Sequence, residues 1–102
     1  MFTINDVKWG IYFVDPEHPM LMRENGSFSI GACDHITRNI YINDTLVSSM
    51  FKKVLCHEIV HAAMFSYNVF LDVEEEEVIA NIIAKYGEEI IKITNSLFTK
   101  LK

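Results

Sequence analysis

Residues 55–65, LCHEIVHAAMF, place two histidines and one glutamate among side chains that are otherwise apolar. On a helix of about 3.6 residues per turn, His57 and His61 project from one face because they are four positions apart. Glu58 lies roughly 100° further round and can flank an ion held by both imidazoles without binding it. This HExxH spacing predicts that His57 and His61 bind one Zn²⁺. Glu58 is then the catalytic base, which activates a zinc-bound water to hydrolyse a peptide bond.

The same three residues are compatible with two alternatives. Buried histidines can hydrogen-bond to the backbone or to Glu58 without any metal, although burying three polar groups costs free energy unless each finds a partner. The chain could also be a catalytically silent zinc-binding module that binds or regulates a partner. A purely structural site has no need of a base beside an open position, so Glu58 favours a zinc metallopeptidase.

A catalytic zinc has three protein ligands and one open position, so the two histidines need a third ligand. The acidic run EEEEVIAN, residues 74–81, is the best source. On a helix Glu77, Ala80, Asn81 and Ala84 share one face, and the small alanines would let this helix approach the first one closely. We therefore predict Glu77 as the third metal ligand. Asn81 would hydrogen-bond the ring nitrogen of a liganding histidine that does not face the metal.

Other third ligands remain as alternatives. Glu74 lies three positions earlier in the acidic run and partly shares the same face. His18, in a proline-rich loop, and His35, at an expected hairpin turn, are also of a type that zinc accepts. The other two carboxylates of the run are expected to be solvated and to stabilise the first helical turn through the helix dipole: Glu75 and Glu76.

The segments before the HExxH helix indicate strands. Residues 7–14 are rich in β-branched and aromatic side chains, and residues 27–33 alternate apolar with small or polar residues. Residues 38–43 carry Ile40 and Ile42 on one side. These patterns predict about three strands, the last two of which pair as a β-hairpin.

Two helices are expected after the strands. Asn43 or Asp44 is predicted to cap a helix over residues 45–66, and the second half of this helix should be buried nearly all round. A second helical pattern begins near Val73 and continues to the end of the chain, with Gly87 as a predicted break or bend. This order indicates an α+β fold, in which a small antiparallel or mixed sheet is followed by the HExxH helix and a C-terminal helix.

The overall composition indicates one small domain over residues 1–102. Half of the residues are hydrophobic and 23% are charged, which is typical of a chain that folds. A net charge of −5 without a basic cluster argues against nucleic-acid or anionic-membrane partners and leaves peptides or proteins. The N-terminus lacks the pattern of a signal peptide, so we expect a cytoplasmic protein. Cys33 and Cys56 are predicted to be ordinary buried thiols.

The motifs HEIVH and EVIAN together resemble those of the gluzincin metallopeptidases. In that family HExxH is followed on a later helix by E-x-x-[Ser/Ala]-[Asp/Asn], which Glu77, Ala80 and Asn81 match. The strands-first order and the small size look most like the ImmA/IrrE-type peptidases and the single-domain minigluzincins. The resemblance covers roughly residues 27–86.

The resemblance implies a zincin-like fold with one Zn²⁺ and a peptide or protein substrate, which could be a regulatory protein. It implies that the substrate pairs with the edge strand over residues 27–33. A partner subunit is a further expectation. The chain departs from the family by placing Cys56 before the first histidine and by a short segment between the motifs. No histidine that would stabilise an oxyanion follows the acidic run, which leaves Tyr67 or Tyr86 for that role.

Overall fold

The structure is a computed structural model that describes residues 1–101. A four-stranded sheet is followed by two helices, so the predicted α+β class is confirmed. The elements in chain order are β1 (Phe2–Ile4), β2 (Val7–Val14), a short 3₁₀ helix (Pro19–Leu21), β3 (Gly31–Asp34), β4 (Asn39–Asn43), α1 (Ser48–Ser66) and α2 (Val73–Leu101).

The sheet is mixed and has the strand order β1-β2-β4-β3. β1 and β3 each pair antiparallel with an inner neighbour, while β2 and β4 are parallel, so β3 lies at one edge. The prediction of about three strands missed β1, which is only three residues long. Asn5 and Asp6 both have positive φ, 48° and 64°, and this pair forms the tight turn that joins β1 to β2.

The predicted hairpin is confirmed as β3 and β4, but β3 is shorter than the strand predicted over residues 27–33. Residues 27–29 pair with the preceding loop instead. The N–H of Arg23 donates to the carbonyl of Ser27 (2.7 Å), and the N–H of Ser29 donates to the carbonyl of Leu21 (2.8 Å). These bonds hold the loop after β2 beside the start of β3.

α1 lies on the sheet over the hydrophobic core. Trp9 from β2, Ile40 and Ile42 from β4 and Ala62 from α1 are all fully buried. The indole N–H of Trp9 donates to the Ser66 hydroxyl (2.9 Å), which in turn donates to the carbonyl of Ala62 (2.7 Å). Alternate residues of β4 point into the core, as its sequence predicts, and the one polar group of the Trp9 side chain is satisfied.

α1 begins three residues later than predicted, and the predicted caps were wrong. The side chain of Asn43 accepts hydrogen bonds from the N–H and the hydroxyl of Thr45 (2.8 and 2.6 Å), so it closes a local turn. Asp44 does not cap the helix either, because the N-cap residue is Val47, which makes no side-chain bond. Residues 54–66 are buried or half-buried throughout, which confirms the prediction for the second half.

α2 packs antiparallel against α1 and makes little contact with the sheet. Lys52 near the start of α1 pairs with Glu88 (2.8 Å), whereas His61 near the end of α1 contacts Glu76 (2.6 Å). Of the break or bend predicted at Gly87, the break is wrong, because α2 runs unbroken through this residue. The two helices therefore face each other over the first four turns of α2.

The distal half of α2, residues 88–101, extends beyond the rest of the molecule. Every residue in it is exposed, including Ile90, Ile93 and Leu97, which leave about half of their surface in solvent. The molecule is accordingly 51 Å long and only 31 and 27 Å across. Neither α1 nor α2 combines the length and the hydrophobicity that crossing a bilayer would require.

Candidate metal centre

Two histidines and one carboxylate meet where α1 and α2 face each other. The Nε2 atoms of His57 and His61 are 3.1 Å apart. The Glu77 carboxylate reaches both rings, with Oε1 2.8 Å from His61 Nε2 and Oε2 3.2 Å from His57 Nε2. The structure thus brings together the three residues that the sequence predicts as metal ligands.

The distances between these atoms fit a tetrahedral zinc site. Zinc bonds of about 2.0–2.1 Å at tetrahedral angles would place neighbouring ligand atoms roughly 3.3 Å apart. The two Nε2 atoms here are 3.1 Å apart, and each lies 2.8 or 3.2 Å from the nearer oxygen of the Glu77 carboxylate. Zinc accepts both imidazole nitrogen and carboxylate oxygen, and three ligands leave one position free for a water or a substrate.

Glu76 determines which nitrogen of His61 faces the other ligands. Its Oε1 atom is 2.6 Å from His61 Nδ1, and a carboxylate can only accept, so Nδ1–H donates. In a neutral imidazole Nε2 is then an acceptor, and it lies 2.8 Å from another acceptor, Glu77 Oε1. Two acceptors this close need a proton or a cation as a common partner. A metal ion fits this set of atoms.

The role of Glu76 was missed at the sequence level, where it was predicted to be solvated. Its side chain is 26% exposed and reaches the end of α1. A feature of the sequence that could have indicated this contact is the four-residue interval between Glu76 and Ala80. This interval puts Glu76 on the same face of α2 as Ala80, which is fully buried. The prediction holds for Glu75, which is exposed.

The start of α2 is fixed by Asp72. Its carboxylate accepts from the N–H of Glu75 (2.8 Å), and its carbonyl accepts from the N–H of Glu76 (3.0 Å). This cap satisfies two N–H groups of the first helical turn, from which Glu76 and Glu77 reach His61 on α1. Ala80 and Ala84 then lie on the contact side, and their small side chains permit the close approach.

Glu58 is the most buried ionisable group of the site, with only 7% of its surface exposed. Burial raises the pKa of its carboxyl from 4.5 to about 7, Glu77 adds to this rise and His61 opposes it. A carboxyl with a pKa near neutrality can both take and return a proton at physiological pH. The role of Glu58 as the catalytic base stays a prediction.

Gly31 makes room for Glu58. A Cβ atom at position 31 would lie 2.7 Å from Val54 Cγ1, which is too close, and 3.0 Å from Glu58 Oε2, which is a tight contact. The absence of a side chain at Gly31 therefore lets the edge strand β3 lie directly against the Val54 and Glu58 side chains. This glycine was not singled out from the sequence, since the approach of a strand to a helix is a tertiary feature.

A cavity of about 800 Å³ opens between β3, α1 and α2. Its walls include the metal-ligand group, Glu58 and Glu76, together with the segment 29–33 that leads into and forms most of β3. The candidate metal site therefore lies in a groove that has the edge strand β3 along one side.

The structure places Asn81 and Glu74 differently with respect to the metal-ligand group. Asn81 lines the cavity, one turn after Glu77, but among residues 1–101 its side chain hydrogen-bonds neither histidine. Its predicted contact with a liganding histidine is made by Glu76 to His61 instead. Glu74 is exposed and does not belong to the group that could hold a metal ion.

The two alternative histidine ligands lie elsewhere. His18 caps the short 3₁₀ helix by accepting from the N–H of Met20 (3.1 Å), and its ring stacks on Tyr41. His35 lines the cavity, but its ring stacks on Phe65 with centroids 5.3 Å apart and it is not in the metal-ligand group. The geometry therefore favours Glu77 over either histidine as the third ligand.

The tyrosines and cysteines stand apart from the site chemistry. Tyr67 and Tyr86 are exposed and do not line the cavity, so the structure does not bring either phenol to the metal ligands. Cys33 and Cys56 are free and half-buried. Burial, followed by the nearby Glu58 carboxylate, raises the pKa of Cys33 to about 12, so this thiol stays protonated.

Searches against protein families, curated proteins and solved structures found no match to this chain. The likeness to gluzincins therefore stays a prediction from two short motifs. Any activity must be argued from the geometry of the site itself.

Proposed function

We propose that this chain is a zinc-dependent endopeptidase in which His57, His61 and Glu77 hold one Zn²⁺ and Glu58 is the general base. The observation that carries the proposal is the convergence of two Nε2 atoms and one carboxylate, with contacts of 2.8 to 3.2 Å between the three groups. The buried carboxylate of Glu58 beside them supports catalysis over a structural role, because a structural zinc site is closed and needs no base.

The reaction is the hydrolysis of a peptide bond. When bound, zinc supplies Lewis-acid activation of water and of the scissile carbonyl. Glu58 accepts a proton from the attacking water and returns it to the leaving amide nitrogen. The C–N bond then breaks, and the oxygen of the water remains in the new carboxylate. Glu76 keeps His61 oriented through its bond to Nδ1.

The cavity supports an extended peptide as the substrate. β3 has a partner on one side only, since it pairs with β4 and lies at the edge of the sheet. A peptide can add to such an edge through main-chain hydrogen bonds, which are largely independent of sequence. The groove beside β3 leads past Glu58, so a peptide held there would pass the base. A partner subunit remains a prediction.

The test combines metal analysis with proteolysis. Purified protein should carry about one zinc per chain and should cleave an unstructured protein such as casein. Glu58→Gln should keep the metal and lose hydrolysis, whereas Glu75→Gln, which changes an exposed carboxylate of α2, should keep both. Stoichiometric zinc without hydrolysis by the unmodified protein would instead identify the silent zinc-binding module. Protein with much less than one zinc would contradict both functions.

A further inference from the structure

One end of the cavity is basic, although the chain has a formal net charge of −5. Arg23 from the loop before β3, Lys53 from α1 and Lys85 from α2 all line it. These residues come from three separate elements, so they are brought together by the tertiary fold. They represent three of the nine lysines and arginines of the chain.

None of the three basic side chains forms an ion pair with an acidic group of residues 1–101. Among residues 1–101, ion pairs of lysine involve only Lys52 and Lys92, and both go to Glu88. Lys85 instead lies over the ring of Tyr86, with its Nζ 5.2 Å from the centroid. The positive charge at this end of the cavity is therefore not neutralised within the described chain.

The acidic groups of the cavity already have other roles. Its carboxylates are Glu58, Glu76 and Glu77, which are the proposed base, the partner of His61 and the proposed metal ligand. None is left to bind a positively charged side chain of a substrate. The charged groups of the groove that are left to bind a substrate are thus all positive. A bound metal ion would add to this positive charge.

The basic residues lie to one side of the metal ligands. Lys53 is one turn before His57 on α1, which corresponds to about 6 Å along the helix. Lys85 is two turns after Glu77 on α2, or about 12 Å. Because the helices are antiparallel, both positions lie on the same side of the metal ligands. Arg23 also lines the cavity, from the loop that is held beside the start of β3.

The direction of β3 relates this end to the substrate chain. β3 starts at Gly31, beside Glu58 and close to the basic end, and runs away from it towards Asp34. A peptide that adds antiparallel to β3, as β4 does on the other side, brings its C-terminal part to the basic end. At about 3.3 Å per residue, positions two to four beyond the scissile bond would lie there.

We propose that the groove selects peptides that carry carboxylates on the C-terminal side of the scissile bond, bound by Arg23, Lys53 and Lys85. This selection rests on the proposed peptidase function, and it adds the class of substrate. The carboxylate can belong to an aspartate or glutamate side chain or to the C-terminus of the peptide, since all present the same charge to the three cations.

The first experiment measures binding to zinc-loaded Glu58→Gln protein, which keeps the groove but not the base. Two pools of fluorescein-labelled peptides of roughly ten residues are compared by fluorescence anisotropy, identical except that one contains glutamate where the other contains glutamine. We expect the glutamate pool to bind on the order of tenfold more tightly, with a preference that falls as salt is added. Equal dissociation constants would overturn the proposal.

The second experiment reverses the charge at two of the three positions. Lys53→Glu combined with Lys85→Glu should abolish the preference for the glutamate pool. Lys8→Glu is the matched control. Lys8 is an exposed lysine of β2 that lies away from the cavity and forms no ion pair with any of residues 1–101. A preference that survives the double variant would overturn the assignment. If the double variant fails to fold, the glutamine substitutions at both positions replace it, with the same criterion.

Two further measurements identify the carboxylate that is bound and separate acidic selection from hydrolysis. Pools with an amidated C-terminus show whether side-chain or terminal carboxylates are bound, because only terminal recognition is lost on amidation. Cleavage of the same pools by the unmodified protein separates the two proposals. Selective binding without hydrolysis of any pool would contradict the peptidase and keep the acidic ligand. Hydrolysis of both pools with equal kcat/KM and equal binding would contradict the acidic selection and keep the peptidase.

Discussion

The two halves of α2 have the same helical geometry and opposite surroundings. In the first half, charged Glu76 and Glu77 are partly buried against α1 and contact its histidines. In the distal half, aliphatic residues such as Ile93 are exposed. Polar groups are held inside at one end and apolar groups are left outside at the other. This difference indicates that the first half of α2 holds carboxylates against the histidines of α1, while the distal half contributes little to the folding of the monomer.

The largest expected effect is at the third ligand. Glu77→Ala should lower zinc affinity on the order of 10³-fold, because one of three protein ligands is lost. Glu74→Ala, three residues earlier and exposed, should leave the affinity nearly unchanged. Competition with a chromophoric chelator measures both constants. The reverse order of effects would transfer the ligand role to Glu74 and would remove the contrast between buried and exposed carboxylates of α2.

The buried base predicts a pH dependence of the metal-free protein. The pKa of Glu58 is raised from 4.5 to about 7 in the folded state by burial first, with Glu77 contributing and His61 opposing. A raised carboxyl pKa stabilises the fold below pH 4.5, and this stability is lost as the pH rises through about 7. The lost contribution is on the order of 3 kcal/mol.

Comparison with Glu58→Gln isolates this contribution. Urea unfolding of both chelator-treated proteins from pH 5 to pH 8 should show the unmodified protein losing stability relative to the variant. The difference between the two profiles reports the Glu58 carboxyl together with its electrostatic coupling to His61, Glu77 and Cys33. Parallel pH profiles for the two proteins would show that the carboxyl of residue 58 is not desolvated.

Substitution at the edge strand should separate activity from metal binding. Gly31→Ala places a Cβ 2.7 Å from Val54 Cγ1 and 3.0 Å from Glu58 Oε2, so these side chains of α1 must give way. We expect kcat to fall by up to about 10²-fold, which is the cost of displacing a catalytic group by a full 1 Å or so, with zinc content unchanged. Gly26→Ala, where no atom lies within 4 Å of the added carbon, is a control for the cavity, although its φ of +85° disfavours alanine. Zinc loss in Gly31→Ala would show that β3 supports the ligands themselves.

Loss of the contact between Glu76 and His61 should lower zinc affinity less than loss of the ligand Glu77 does. Glu76→Ala removes the acceptor for Nδ1–H, and loss of such an orienting partner typically weakens metal affinity about 10–100-fold. Glu76→Gln retains an acceptor oxygen and should recover most of the affinity. Glu75→Ala is the matched control from the exposed face. Equal zinc affinity in Glu76→Ala and the unmodified protein would show that the 2.6 Å contact does not orient the ring.

The sequence predicted best those features that depend on spacing within one helix. His57 and His61 are brought together by their four-residue interval, and Glu77 was selected because it shares a face with Ala80 and Ala84. The site features that were missed depend on contacts between elements. Gly31 is required only because β3 lies against α1, which no local pattern encodes.

The same distinction applies to the fold. The hairpin of β3 and β4 and the two helices follow from local patterns. β1 was missed because three residues are too few for an alternation to be visible. The start of α1 was predicted too early because the Asn43 side chain binds Thr45 in a turn, which is the competing use of a capping residue.

The smallest expected effect is in the distal half of α2. Leu97→Gln should change the free energy of unfolding by less than about 0.5 kcal/mol, because Leu97 is already 50% exposed and both residues favour a helix similarly. Ile40→Ala, at a fully buried position of β4, should cost about 2–5 kcal/mol. Urea denaturation at two protein concentrations measures both. A loss above about 1 kcal/mol in Leu97→Gln that grows with concentration would mean that Leu97 is covered when chains associate. The exposed half of α2 would then be an interface, and the contrast with the metal-binding half would hold only for the isolated chain.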